Sequence, residues 1–354
     1  MSSNEHLFKI AEAGEGNEGN EHHGGAAAGG GALLSGPGAT TATPGVALYG
    51  GENEGISELR GGNGDDTLYG TGGNLTLVGG AGTNTFNVQA GEDTLADARP
   101  GSDHINVSSG ATAVLNLTSS TANANLSTAT TNNSGTLLIN AAPATTSTIM
   151  GSRGSDDIRG GTGTVNVRES EGNDHITGGS GGINAVAYTG NESSYHLNQN
   201  ANGALLVQKP TGTTDTLNSV QRIQFANTKV AMDINGHAGM TAKVIGAVFG
   251  AGAVSNPTYV GIGLHELDGG TSYTGLMQLA LNAAGATTSA AEVDLLWHNL
   301  FHAAPTAAQA APYIAMLNSG STTAAALGTM AADTSVNTAN INLVGLQHTG
   351  IHYA

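Results

Sequence analysis

The chain has 354 residues, of which 38% are hydrophobic and only 4% aromatic, with 55 glycines and no cysteine. Ten basic against 27 acidic residues leave a net charge of −17, which argues against nucleic acid or an anionic membrane as partner and suits a protein that binds cations. The length allows two or three domains, while the composition excludes a large aromatic core, disulfides, thiolate metal sites and cysteine nucleophiles.

Residues 1–45 are rich in Gly, Ala and Glu, with His22-His23 beside Glu21 and one short apolar cluster, Leu7-Phe8-Lys9-Ile10. Composition reads this stretch as a flexible acidic arm. The alternative is an assembly strand around Leu7 to Ile10 that orders on adding to another subunit's sheet edge. The first sixteen residues carry a single lysine, Lys9, and no apolar run long enough for a signal-peptide core, and nothing later approaches a membrane span. The expectation is a cytoplasmic protein, or one exported by a route that reads a different signal.

Residues 51–96 carry a register. Leu59, Leu68, Leu77, Phe86 and Leu95 are nine apart, and so are Gly55, Gly64, Gly73, Gly82 and Gly91. The best copy reads Gly61-Gly62-Asn63-Gly64-Asp65-Asp66-Thr67-Leu68-Tyr69, the nonapeptide of a calcium-binding parallel β-roll. With two nonapeptides per coil, residues eighteen apart share a side: Asp66 lies over Asn84, while Ser57, Leu75 and Asp93 line the other side. The glycine at position four permits φ > 0 and lets carbonyl oxygens face an ion. The apolar residue at position eight faces inward from each short strand and builds a thin core, one coil every ~4.8 Å.

After Asp103-His104-Ile105 closes this block, residues 97–150 become Thr-, Ser-, Asn- and Ala-rich, with alternation in Ala113-Val114-Leu115-Asn116-Leu117 and Thr136-Leu137-Leu138-Ile139. Irregular coils continuing the rod are expected there. A second block over residues 151–186 resumes the phase with Gly154, Gly163, Gly172 and Gly181, and with Ile158, Val167, Ile176 and Ala185 at the apolar position. Its sixth positions are Asp156, Val165, Asp174 and Ile183, so one side can share an ion and the other is dry. The whole roll is expected over 46–186.

Residues 187–237 hold short strand-like runs between Gly- and Asn-rich turns, expected as a β cap on the roll's open end. From residue 238 the period becomes helical, through Val244, Ile245, Val248 and Phe249, then Val293, Leu296, Leu300 and Phe301, with Ser289 as N-cap before Glu292. The fold class expected is therefore mostly β, a parallel β-roll or β-helix with a small cap, followed by a helical bundle over 238–354. Trp297 and Phe301 read as bundle core.

Catalytic constellations are sparse. His265-Glu266 lacks the second histidine of a zinc-protease helix, since residue 269 is Gly. His298 with His302, and His348 with His352, have a spacing that lets each pair face one metal, or they are ordinary half-exposed histidines. There is no Gly-x-Ser-x-Gly elbow and no phosphate loop. Carboxylates held ionised by calcium cannot supply a neutral acid. No enzyme is expected.

The nonapeptides resemble those of RTX proteins, which bacteria export by type I secretion with an uncleaved C-terminal signal. Residues 186–225, with Val186-Ala187-Tyr188-Thr189-Gly190 and Val220-Gln221-Arg222-Ile223-Gln224-Phe225, resemble the β-segment that follows such repeats. Residues 256–354, with Leu267-Asp268-Gly269-Gly270 and Asn340-Ile341-Asn342-Leu343-Val344-Gly345-Leu346, resemble a helical terminal domain of unknown function found on these proteins. The resemblance implies Ca²⁺ ligands at Gly61, Asn63, Asp65 and Asp66 with Asn84, at the further acidic positions Asp93 and Asp103, and at Gly151, Arg153, Ser155 and Asp156 with Asp174. It departs from a full array at Leu75, Asn84, Val165 and Ile183, so few sites are expected. The function expected is that of a non-catalytic, calcium-binding structural protein at a bacterial surface or outside the cell. Its partners are the type I secretion machinery and further copies of itself, in a filament, surface layer or biofilm matrix. The alternatives are a monomeric adhesin for glycans or cell surfaces, and a metal-dependent hydrolase using His298 and His302.

Overall fold

The computed structural model describes residues 21–23, 32–35, 45, 47–50, 56–118, 123–127, 129–131, 135–200 and 202–354. Residues 51–55, Gly55 among them, and the Leu7 to Ile10 cluster lie outside them.

A strand only four residues long can bury two side chains, because alternate residues face opposite sides. The strands Ala47–Gly50, Thr67–Gly70 and Thr85–Val88 all alternate half-buried and buried, and each must find its second face in another coil. Residues 47–187 accordingly form a parallel β-solenoid of about 7 turns. Register between coils puts like on like. On one face Leu48, Leu68, Phe86 and Ile105 stack in a column. On the other, Leu59, Leu77, Leu95, Leu115, Ile139, Ile158, Ile176 and Leu217 do so. All of these are 2% exposed or less.

The second of these faces is one continuous sheet of eleven strands, whereas the first is broken into sheets of six and seven. The break falls where the coil lengthens: Asn116 and Asn140, stacked side by side, are 24 residues apart. The extra residues produce two short strands, Asn123–Asn125 and Thr130–Thr131, each pairing with a different neighbour. Irregular coils do continue the rod.

Two sequence expectations shift here. Val165 N–H meets Asn184, 19 residues on, because the turn through Gly178, Gly179, Ser180, Gly181 and Gly182 has one residue more than the register allows. Asn184, not Ile183, therefore occupies the sixth position, and Val186, 1% exposed, takes the inward place assigned to Ala185. At the N-terminal end, Glu21–His23 pairs in parallel with Ala47–Tyr49, and Ala32–Ser35 with the strand Ile56–Asn63. Part of the stretch expected as an arm thus adds strands to the solenoid.

The far end is closed by hairpins. His196–Gln199 pairs antiparallel with Leu205–Gln208, which pairs antiparallel with Thr214–Asn218. On the opposite face Arg222–Gln224 turns back through Lys229–Ala231.

Eight α-helices follow among the described residues: His237–Phe249, Pro257–Asp268, Tyr273–Ala283, Ser289–Phe301, Ala307–Asn318, Ala324–Ala332, Ser335–Asn340 and Leu343–Thr349. The first is the most buried, with Val244, Ala247 and Val248 in one apolar cluster and Ala238, Ala242 and Ile245 in another. Thr288, rather than Ser289, is the N-cap of the fourth helix, accepting from Ala291 N–H. The chain does not end helically: Ile351–Tyr353 returns to the solenoid sheet, antiparallel to Lys229–Ala231. Among the described residues no helix is long and apolar enough to cross a membrane.

Candidate cation sites in the solenoid turns

Positions six and eight of the repeat share a parity, so the residue at six points inward at the start of its strand. A polar side chain is thereby forced indoors. Asp66, Asn84, Asp93, Asp103, Asp156, Asp174, Asn184 and Asp215 are all 4% exposed or less.

What most of these residues share is a backbone partner in the neighbouring coil. In six of them, the others being Asp66 and Asp156, the Oδ1 atom accepts the N–H of a residue one coil earlier: Asn84 from Asp66 at 3.0 Å, Asp103 from Asn84 at 2.9 Å, Asp93 from Leu75 at 3.0 Å, and Asn184 from Val165 at 2.8 Å. The second block repeats it, Asp174 accepting from Asp156, and Asp215 from Asp174, at 3.0 Å each. These N–H groups precede the strand ladders and are buried, so they need an acceptor. An Asx column between coils supplies one. The nine-residue register favours ion binding over turn formation as the cause of this recurrence and does not reach Asp215, which lies 41 residues beyond Asp174. The uncharged Asn84 in the same phase was the available signal.

The remaining carboxylate oxygens meet different surroundings. Asp103 accepts from Arg99 N–H at 2.8 Å and pairs with its guanidinium at 3.1 Å. Asp156 accepts from Ser152 N–H and Oγ–H, both at 2.7 Å. Asp174 accepts from Ser170 Oγ–H, and Asp215 from Tyr188 O–H, each at 3.0 Å. Asp93 Oδ2 is buried without a hydrogen-bond partner. Burial pushes the Asp93 carboxyl up to about 6. Burial, then the neighbouring Asp174, pushes Asp156 up to about 8, and burial, then Asp215, lifts Asp174 to about 6.

The expected backbone ligands divide into two groups. A Cβ on Gly61 would lie 2.2 Å from Asp66 Oδ2 and 2.5 Å from the Gly79 carbonyl oxygen, so oxygens of two coils converge over that glycine. Gly151 is likewise crowded by Asp156 Oδ2 at 2.3 Å and Ser170 Oγ at 2.5 Å. Asn63 ends the strand Ile56–Asn63 beside Ala81. Asp65 and Ser155 instead use their side chains to accept Thr83 and Asn173 N–H groups, at 2.6 and 3.1 Å, on the exterior. Arg153 is exposed, its N–H directed to Ala129 O at 3.3 Å.

Among the described residues no three His, Asp or Glu side chains converge as a metal cluster, so a cation here would take most of its oxygens from carbonyls. Hard oxygen donors are gathered at the Asp66–Gly61–Gly79 turn, and Asp93 holds one carboxylate oxygen without a partner. At Asp103 a protein cation is already present.

The histidines separate. His302 leaves the helix Ser289–Phe301 as its left-handed cap, φ 56°, and Gly350 puts His348 on a helix but His352 on a strand, where it meets Glu192 at 2.9 Å. Trp297 is half-buried and Phe301 47% exposed, so the ring pair expected in the core instead lines a groove of about 250 Å³ with Tyr313 and Met330. Comparison with family models, with curated proteins and with solved structures found no match.

Proposed function

We propose that this chain is a secreted, non-catalytic structural protein of RTX type, whose solenoid is completed by calcium and self-assembles outside a bacterial cell into a filament or surface layer. The observation that carries the reading is Asp93, 0% exposed with one carboxylate oxygen lacking any donor, at a nonapeptide turn. A buried charge in that setting needs a counter-ion or a proton. Extracellular calcium modules bind at about 10⁻⁴ to 10⁻³ M, so the turns stay open in a low-calcium cytoplasm and close after export by type I secretion. Self-assembly is supported by the strand Glu21–His23, the terminal strand of its sheet among the described residues, since an unpaired edge is a template for another chain.

The second reading is a monomeric adhesin, favoured by the exposed Phe301, Tyr313 and Met330 around the helical groove. The deciding experiment titrates calcium into calcium-free protein, followed by far-UV circular dichroism, light scattering and electron microscopy. β-structure gained together with large ordered particles is expected, and Asp66→Ala with Asp93→Ala shifts the midpoint at least about tenfold higher. β-structure gained by a persistent monomer selects the adhesin, and indifference to calcium sinks both.

A further inference from the structure

The cap carries a buried lysine that the nonapeptide register does not account for. Lys209 follows the strand Leu205–Gln208, and its turn is closed by two backbone bonds, Lys209 N–H to Thr213 O at 2.8 Å and Gly212 N–H to Lys209 O at 2.9 Å. Pro210 and Gly212 shape this turn, so that the side chain is aimed over the last parallel coil rather than into solvent. The side chain is 2% exposed.

Every close partner of its ammonium group is an oxygen. Nζ lies 2.7 Å from Asp215 Oδ1 and 3.6 Å from Asp174 Oδ2, and donates to the Ser170 carbonyl at 3.0 Å. The two carboxylates are successive members of the Asx column that begins at Asp156. The carbonyl belongs to the turn that precedes Asp174 in the same repeat. Two stacked carboxylates and a turn carbonyl are the kind of oxygen set that suits a hard cation, and here the chain's own –NH₃⁺ fills it with three donors. An ordinary surface ion pair would leave the lysine mobile and wet.

We infer that Lys209 is a tethered cation, its ammonium standing between Asp174 and Asp215 where the nonapeptide turns would otherwise hold a metal ion, so that the C-terminal end of the solenoid closes without calcium. The last coil and its cap then form a permanently folded end. Ion-dependent coils are laid onto it towards the N-terminus, and the parallel stack always has a template to grow from. The contrast with ion-dependent coils rests on the function proposed above, whereas the role of Lys209 stands without it.

The test is hydrogen exchange read by mass spectrometry on the full chain, in chelator and in millimolar calcium. In wild type, peptides covering His175–Thr177 and Thr214–Asn218 are expected to keep the same protection in both. Lys209→Ala, which removes the ammonium and leaves room, loses at least about tenfold protection there in chelator, and calcium restores it. The double variant Lys209→Ala with Asp215→Asn, carrying one charge fewer, recovers protection in chelator and covers the case in which the single variant does not fold. Wild-type loss of protection in chelator overturns the inference. So does full protection of Lys209→Ala in chelator, or loss that neither calcium nor Asp215→Asn repairs. Peptides over residues 67–98 report the calcium reading separately: protection there in chelator defeats that reading and leaves the lysine untouched.

Discussion

At the scale of the residue, an aspartate at position six does two jobs with two oxygens. Oδ1 caps a buried N–H of the previous coil, as Asp93 does for Leu75, and the other oxygen confronts whatever positive charge the turn contains. Where none is present the carboxyl favours its proton. Asp93 and Asp156 are raised to about 6 and about 8 by burial, with Asp174 adding to the effect at Asp156. Because these values lie above the ~4 of an unfolded aspartate, folding is favoured most below pH ~4, and that contribution is lost as pH rises through the folded values. In chelator, calorimetric melting temperatures are therefore expected to fall as pH rises from about 5 to about 8, with calcium flattening the slope. A melting temperature that rises over this range would show that the carboxyls are ionised and compensated by the protein itself. Asp93→Asn keeps the acceptor for Leu75 N–H and removes the charge. It should gain about 1–2 kcal/mol in chelator and be stabilised less by calcium than wild type, measured by urea unfolding in both buffers.

At the scale of the element, no strand is stable alone, since two inward side chains cannot offset the entropy of ordering a coil. Stability comes from the columns. Phe86, 0% exposed between Leu68 and Ile105, is the largest side chain in its column. Phe86→Ala should cost about 3–5 kcal/mol by equilibrium denaturation, with the neighbouring coils losing hydrogen-exchange protection together. The turns are fixed as firmly. Gly82 has φ 89°, and a Cβ there would sit 2.0 Å from the Gly64 carbonyl oxygen of the coil before, so position four is a packing contact as well as a permissive conformation.

At the scale of the whole molecule, the helical domain is anchored to the solenoid by charge and by a strand. Arg222, 5% exposed at the end of the last parallel coil, donates from Nη2 to both carboxylate oxygens of Asp268 at 2.9 Å and from Nη1 to Asp233, while His237 Nδ1 lies 2.7 Å from Asp268. The chain end completes the joint, with Ile351–Tyr353 added to Lys229–Ala231 and Ala354 N–H bonded to Pro257 O at 3.0 Å. Asp268→Ala leaves the buried guanidinium's Nη2 without its carboxylate, with Asp233 still on Nη1. A loss of about 1.5–3 kcal/mol is expected, seen as proteolytic cleavage near residues 232–237 while the β-signal of the solenoid is unchanged.

The solenoid was legible in the sequence because its constraint is local and periodic. An inward apolar residue every nine positions, a glycine four places earlier and, in most copies, a polar residue at six mark the turns, and from Leu59 to Leu95 the inward positions are the ones the register names. The reading slipped at Ile183 and Ala185, since a run of glycine and serine carries no phase to reveal one extra residue. It also could not see Asp215 or Lys209. Their meeting with Asp174 depends on an antiparallel hairpin that brings back a side chain from outside the repeat, and long-range pairing of that kind leaves no periodic trace. Likewise Arg222, Asp268 and Tyr353 are unremarkable in sequence and adjacent only once the helices have packed. Composition and period by themselves determined the coil, its thin core and the inward carboxyls. Tertiary structure alone decided which of those carboxyls received a protein cation, because charge compensation depends on what lies within a few ångströms, whatever its distance along the chain.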